Sequence, residues 1–90
     1  MLNLSDEATS MIRDLIATTD LPAGAGLRIA QRDDHPALAM TLADAAKPGD
    51  AVLRERNIAV FVGPIAAVRL DGQTLDARTN ETGSAFYVRD

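Results

Sequence analysis

Ninety residues, 47% of them hydrophobic and few of them aromatic, leave room for one small domain spanning residues 1–90 and none for a second core. The net charge of −4, with Arg54, Arg56, Arg69, Arg78 and Arg89 scattered along the chain, gives a nucleic-acid backbone little to hold, so no nucleic-acid partner is expected. There is no cysteine, which excludes a disulfide framework, a thiolate nucleophile and a soft-metal site, and makes the cytoplasm the expected compartment.

The chain opens on Met1-Leu2-Asn3-Leu4-Ser5-Asp6-Glu7, acidic where a secretory leader is basic, and export is not expected. Ser5 is a good N-cap, Asp6 and Glu7 suit the positive end of a helix dipole, and Ala8, Met11, Ile12, Leu15 and Ile16 recur at helical spacing. The pattern predicts an amphipathic helix from residue 6 to residue 18. Leu21-Pro22 and Ala23-Gly24-Ala25-Gly26 end it and read as a flexible connector, because the glycines carry no phosphate-loop or dinucleotide motif.

Strands dominate the remainder. Leu27 and Ile29, then Leu38, Met40 and Leu42, alternate with smaller or polar residues around the polar loop Arg32-Asp33-Asp34-His35-Pro36. A hairpin follows, with Ala51 to Arg54 joined through Glu55-Arg56-Asn57 to Ile58-Ala59-Val60-Phe61-Val62. Gly63-Pro64 stops that strand and opens a short helix, whose Ile65 and Val68 are expected to face inward before Asp71-Gly72 closes it. Leu75 with Ala77, and Phe86 with Val88, supply two last strands around a loop from Thr79 to Ser84. The longest uncharged apolar stretch, Asn57 to Val68, falls short of the roughly 20 residues a membrane helix needs, so no membrane contact is expected.

Taken together, Leu4-Ser5-Asp6-Glu7-Ala8, Gly26-Leu27-Arg28-Ile29, Asn57 to Val62, Leu70-Asp71-Gly72-Gln73-Thr74-Leu75-Asp76 and Gly83 to Val88 resemble the HesB-like, or A-type iron–sulfur carrier (IscA), domain. The resemblance runs along nearly the whole chain. It implies a mainly β (α+β) fold, a HesB-like β-sandwich or half-barrel with an N-terminal helix and one short helix before the last strands. Members of that family carry a first ligand cysteine in the loop between two early strands and a Cys-X-Cys pair near the C-terminus. Here that loop reads Arg32-Asp33-Asp34-His35-Pro36-Ala37, and the sequence stops at Val88-Arg89-Asp90 where the pair would follow. The family's cluster chemistry depends on thiolates, and a lone imidazole does not replace three of them.

The resemblance therefore implies a cysteine-less relative of the A-type carriers, a non-catalytic domain that binds a protein partner or itself, a homodimer being one form of the latter, with no cofactor. The alternative is a small divalent-metal (iron) binder or carrier using His35, Asp33 and Asp34, although adjacent residues in a loop rarely aim at one point and Asp-Asp-His-Pro also suits a solvated turn. No Ser or Thr stands beside a base, and Asp71, Asp76 and Glu81 fit turns and exposed strand faces, so no enzyme is expected. Asn80-Glu81-Thr82 has the spacing of a glycosylation acceptor and reads as a loop, and Met11 and Met40 read as core filler.

Overall fold

A computed structural model of the chain describes residues 1–32, 34 and 36–90. Its first element is one that carries no periodic signal, the two-residue strand β1 (Asn3–Leu4), followed at once by helix α1 (Asp6–Ala17). Ser5 starts the helix as the sequence predicts. Its backbone is extended, and its Oγ accepts the Ala8 N–H at 3.0 Å, satisfying one of the free donors of the first turn. Ala8, Thr9 and Ile12 form the buried stripe, and the Thr9 hydroxyl is neutralised by donating back to the Ser5 carbonyl at 2.9 Å.

Four strands come next: β2 (Gly26–Gln31), β3 (Leu38–Ala43), β4 (Ala51–Glu55) and β5 (Ile58–Val62). They form a mixed sheet in the order β3-β2-β5-β4, with β2 and β5 parallel at its centre and an antiparallel partner outside each. All five residues of β5 are buried, which explains why its sequence is continuously apolar instead of alternating. The β4–β5 hairpin closes on Arg56 and Asn57, both at positive φ, the primed-turn geometry whose twist matches that of the strands.

Helix α2 (Pro64–Arg69) follows Gly63 and Pro64 as expected, but its inward face differs from the expected one. Ile65 and Val68 are 59% and 80% exposed, whereas Ala66 and Leu70 are buried. The Gly63 N–H is fixed to the Ile29 carbonyl at 2.9 Å, so the helix starts close against β2. At that distance the contacting position must be small, and Ala66 fills it. Hydrophobicity alone picks the two larger residues and misses this steric requirement.

The last strands, β6 (Thr74–Asn80) and β7 (Gly83–Arg89), pair in register from Thr74 opposite Arg89 to Asn80 opposite Gly83. The loop expected from Thr79 to Ser84 is therefore mostly ladder, with only Glu81 and Thr82 left in the turn. Asn80 shapes it, its side-chain oxygen accepting the Thr82 N–H at 2.9 Å and the Thr82 hydroxyl at 2.6 Å. β1 joins the other edge of β6 in parallel, completing a second sheet of order β1-β6-β7.

Helix α1 lies on β6 and also reaches β2 and β5, bridging the two sheets. Leu4, Ile12, Leu27, Ile29, Val60, Val62 and Leu75 form the core between them. The architecture is mainly β, two open mixed sheets with two helices, as the resemblance implies.

The glycine run is not a loose connector throughout. Gly26 belongs to β2, and a Cβ there would sit 2.3 Å from the Ala59 carbonyl oxygen. A side chain is thus excluded by neighbouring backbone.

Candidate functional site

The loop between β2 and β3 holds the residues expected to take a metal. Asp34 is exposed, its nearest cation being Arg32, whose Nε lies 3.9 Å away. Asp33 and His35 lie outside the described residues. The loop's far side is tied to α2, because Arg69 donates to the Pro36 carbonyl at 2.6 Å and to Gln31 Oε1 at 3.0 Å. Among the described residues no group of three His, Cys, Asp or Glu side chains is placed to hold a metal ion.

A denser polar cluster centres on Asp76, which is buried, not on an exposed strand face. Ser5 Oγ (2.7 Å) and the Ala77 N–H (2.8 Å) donate to its Oδ1, while the Tyr87 hydroxyl (3.0 Å) and Arg89 Nε (2.7 Å) donate to its Oδ2. Arg89 first, then Ser5 and the Ala77 N–H, hold its carboxyl far below the usual carboxylate range against the opposing effect of desolvation. An anion whose lone pairs meet four donors neither takes up a proton nor has a free position for a substrate. Asp76 therefore acts as a clasp: Ser5 caps α1 and, through Asp76, fastens that helix to the β6–β7 hairpin.

A second ion pair sits on the four-stranded sheet. Arg28 donates through Nε and an Nη to the two oxygens of Asp50, each at 2.9 Å, and the Asp50 side chain is fully buried. Asp50 also accepts the Lys47 N–H at 2.9 Å, fixing the β3–β4 loop over the sheet. The Arg28 contact dominates in lowering the Asp50 pKa. With every acceptor used, this pair too is architecture.

A groove of about 590 Å³ lies open between α1 and the β6–β7 hairpin. Met11, Leu15, Ala77 and Phe86 supply its apolar surface, Glu7 and Asp14 its carboxylates, and Ser10, Thr18, Thr79 and Ser84 its hydroxyls. The groove exists because α1 rests on β6, in the middle of the three-stranded sheet, and the inner face of the edge strand β7 is only partly covered, Phe86 and Val88 staying half-buried against the core. Leu15 consequently stays 38% exposed although it belongs to the helix's apolar stripe. Sequence reasoning reads Met11 as core filler, and it does pack half-buried against the core, but the groove beside it is passed over. The helix pattern carries no signal of it, since Ala8, Met11, Ile12, Leu15 and Ile16 are the ordinary i, i+3, i+4, i+7, i+8 stripe of a helix with one buried face.

The sequence matches no family model and no curated protein. Solved structures match in fold. The crystal structure of Escherichia coli SufA, involved in biosynthesis of iron–sulfur clusters, is similar with a TM-score of 0.81 and 20% identity over 99% of this chain and 84% of that one. The crystal structure of IscA with the [2Fe-2S] cluster gives 0.71 and 19% identity, covering 100% and 85%. The solution structure of an Aquifex aeolicus protein gives 0.70 and 20%, covering 99% and 90%. The chain has the SufA/IscA fold, in agreement with the resemblance read from its residues.

The donor set does not fit an iron–sulfur cluster. Thiolates hold such clusters, these ninety residues contain none, and the described residues of the β2–β3 loop offer one exposed carboxylate beside an arginine.

Proposed function

We propose that this chain is a non-catalytic interaction domain built on the SufA/IscA fold, acting by binding a protein and not by ligating a cluster through thiolates of its own. The observation that carries this reading is the full retention of the fold without a single sulfur ligand among its residues. The open groove beside α1 adds a surface on which such binding can occur, while the two best-ordered polar clusters are consumed by the architecture. On this reading the domain works in the cytoplasm, and its partner is a protein of iron–sulfur or related metabolism or a second copy of itself. Among the described residues no helix is long and apolar enough to cross a membrane.

The test is reconstitution. Purified protein incubated anaerobically with ferrous iron, sulfide and a thiol reductant is expected to elute colourless from a desalting column. A visible absorption band co-eluting with the protein at stoichiometric iron and sulfide would overturn the reading.

A further inference from the structure

We infer that the groove between α1 and β7 is a docking site for a cationic amphipathic segment of a partner protein, an inference that rests on the interaction-domain reading above and gives it a place and a chemistry.

Three observations converge on that occupant. The first is shape. Groove residues on α1 run from Glu7 to Thr18, which at 1.5 Å per residue is a trough about 16 Å long. That length accommodates roughly three turns of helix or five residues of strand, and it is long for a metabolite. The second is apolar surface that is only partly covered. Leu15 on one wall is 38% exposed, and Met11 beside it and Phe86 on the other wall are half-buried. A second amphipathic element laid beside α1 would bury them in the way that helices normally complete a sheet face.

The third is charge. Glu7 and Asp14, two helical turns apart, stand along the same wall, and among the described residues neither side chain is in an ion pair. No basic residue lines the groove. The nearby cations are directed elsewhere: Arg13 donates to the Arg56 carbonyl at 3.0 Å, Arg78 lies over the Tyr87 ring, and Arg89 is held by Asp76, although Glu7 does feel its field. An apolar trough with two unneutralised carboxylates selects Lys or Arg beside Leu, Ile or Phe, and rejects an acidic segment. β7 is moreover an edge strand, whose free backbone groups give an extended segment a ladder to join.

The probe is a fluorescently labelled peptide of alternating Leu and Lys, compared with its Leu and Glu counterpart, titrated with the full chain while anisotropy is read and amide chemical shifts are followed in parallel. The Lys peptide is expected to bind and the Glu peptide not to. Shifts should cluster at residues 7–18 and 77–86. The double variant Glu7→Gln, Asp14→Asn, which leaves the Ser5 cap intact, should weaken binding about tenfold, and Leu15→Ser should weaken it similarly. The control Asp20→Asn, Asp44→Asn makes the same change in net charge away from the groove and should leave affinity unchanged.

Equal losses in both double variants, absence of binding, or shifts centred elsewhere would overturn the inference. So would shifts of the groove residues that grow with protein concentration alone, which would give the site to a second copy. If a native partner bound by the intact chain is neither displaced by the Lys peptide nor lost in the Glu7→Gln, Asp14→Asn variant, the groove assignment fails and the interaction-domain reading survives. A cluster that assembles on the protein fells that reading whether or not the peptide binds.

Discussion

Replacing Arg28 by Met removes a guanidinium while keeping most of its aliphatic stem, and among the described residues it leaves the buried Asp50 carboxylate the Lys47 N–H as its donor. Stripping one partner from a buried, doubly hydrogen-bonded ion pair costs about 3–5 kcal/mol, most of it the desolvation of the charge left behind. For ninety residues the whole folding free energy is roughly 5–13 kcal/mol, so the variant should lose about a quarter of it or more. At about 4–8 °C per kcal/mol the melting temperature should drop by more than about 12 °C.

The pH dependence separates this cause from lost packing. In the parent chain the Asp50 pKa lies below its unfolded value, so its stabilisation is complete above about pH 4 and is lost as the pH falls through the depressed folded value. In the variant, burial dominates and raises that pKa, so acidification relieves the strain. The stability gap between the two proteins, measured by urea unfolding followed by circular dichroism, is therefore widest near pH 7, begins to narrow above about pH 4 as the variant's raised carboxyl takes up its proton, and narrows further as the parent loses its own stabilisation. Asp76 keeps the same partners in both proteins, so its contribution cancels from the difference. A gap under about 1 kcal/mol at pH 7, or one of constant size between pH 7 and pH 3, would refute the reasoning.

Ser5→Ala should lower stability by about 1–2 kcal/mol in the same assay, since it removes both the α1 cap and one of the donors to Asp76, whereas Ser5→Thr should recover most of the loss. Gly26→Ala drives a methyl group into the Ala59 carbonyl and should cost more than about 4 kcal/mol or prevent folding, whereas Gly24→Ala, with open space around it and strained only by its φ of 90°, should cost about 1–3 kcal/mol. Val68→Asp should leave the urea midpoint within about 0.5 kcal/mol of the parent, while Ala66→Asp buries an unpaired carboxylate and should cost more than about 3 kcal/mol. The opposite order would restore the inward orientation of Val68 that hydrophobicity suggests.

The fold was legible where local signals agree with tertiary demand. Ser5 with Asp6 and Glu7 marks the start of α1, the apolar run Ile58–Val62 marks the buried central strand, and Pro64 marks the start of α2. Reading failed where the deciding term is contact with a distant segment. β1 is two residues long and exists only because β6 pairs with it. The face of α2 is selected by its closeness to β2, and Gly26 by the carbonyl of Ala59, neither of which any window of sequence displays. The same holds for Asp76, whose partners Ser5 and Arg89 lie 71 and 13 residues away. The candidate site was legible only in its ingredients, because the apolar stripe on α1 has ordinary width and borders a groove only through the way the helix settles on β6.

The Ser5–Asp76 clasp bears on how the molecule comes to be folded as it is made. The cap itself is local, but its anchor to a carboxylate 71 residues downstream, itself held by Arg89, cannot be completed while the chain is still short. During synthesis α1 can form early but stays frayed and unanchored until β6 and β7 have emerged, so acquisition of structure should be late and cooperative, with slow closure of a large loop as its kinetic bottleneck.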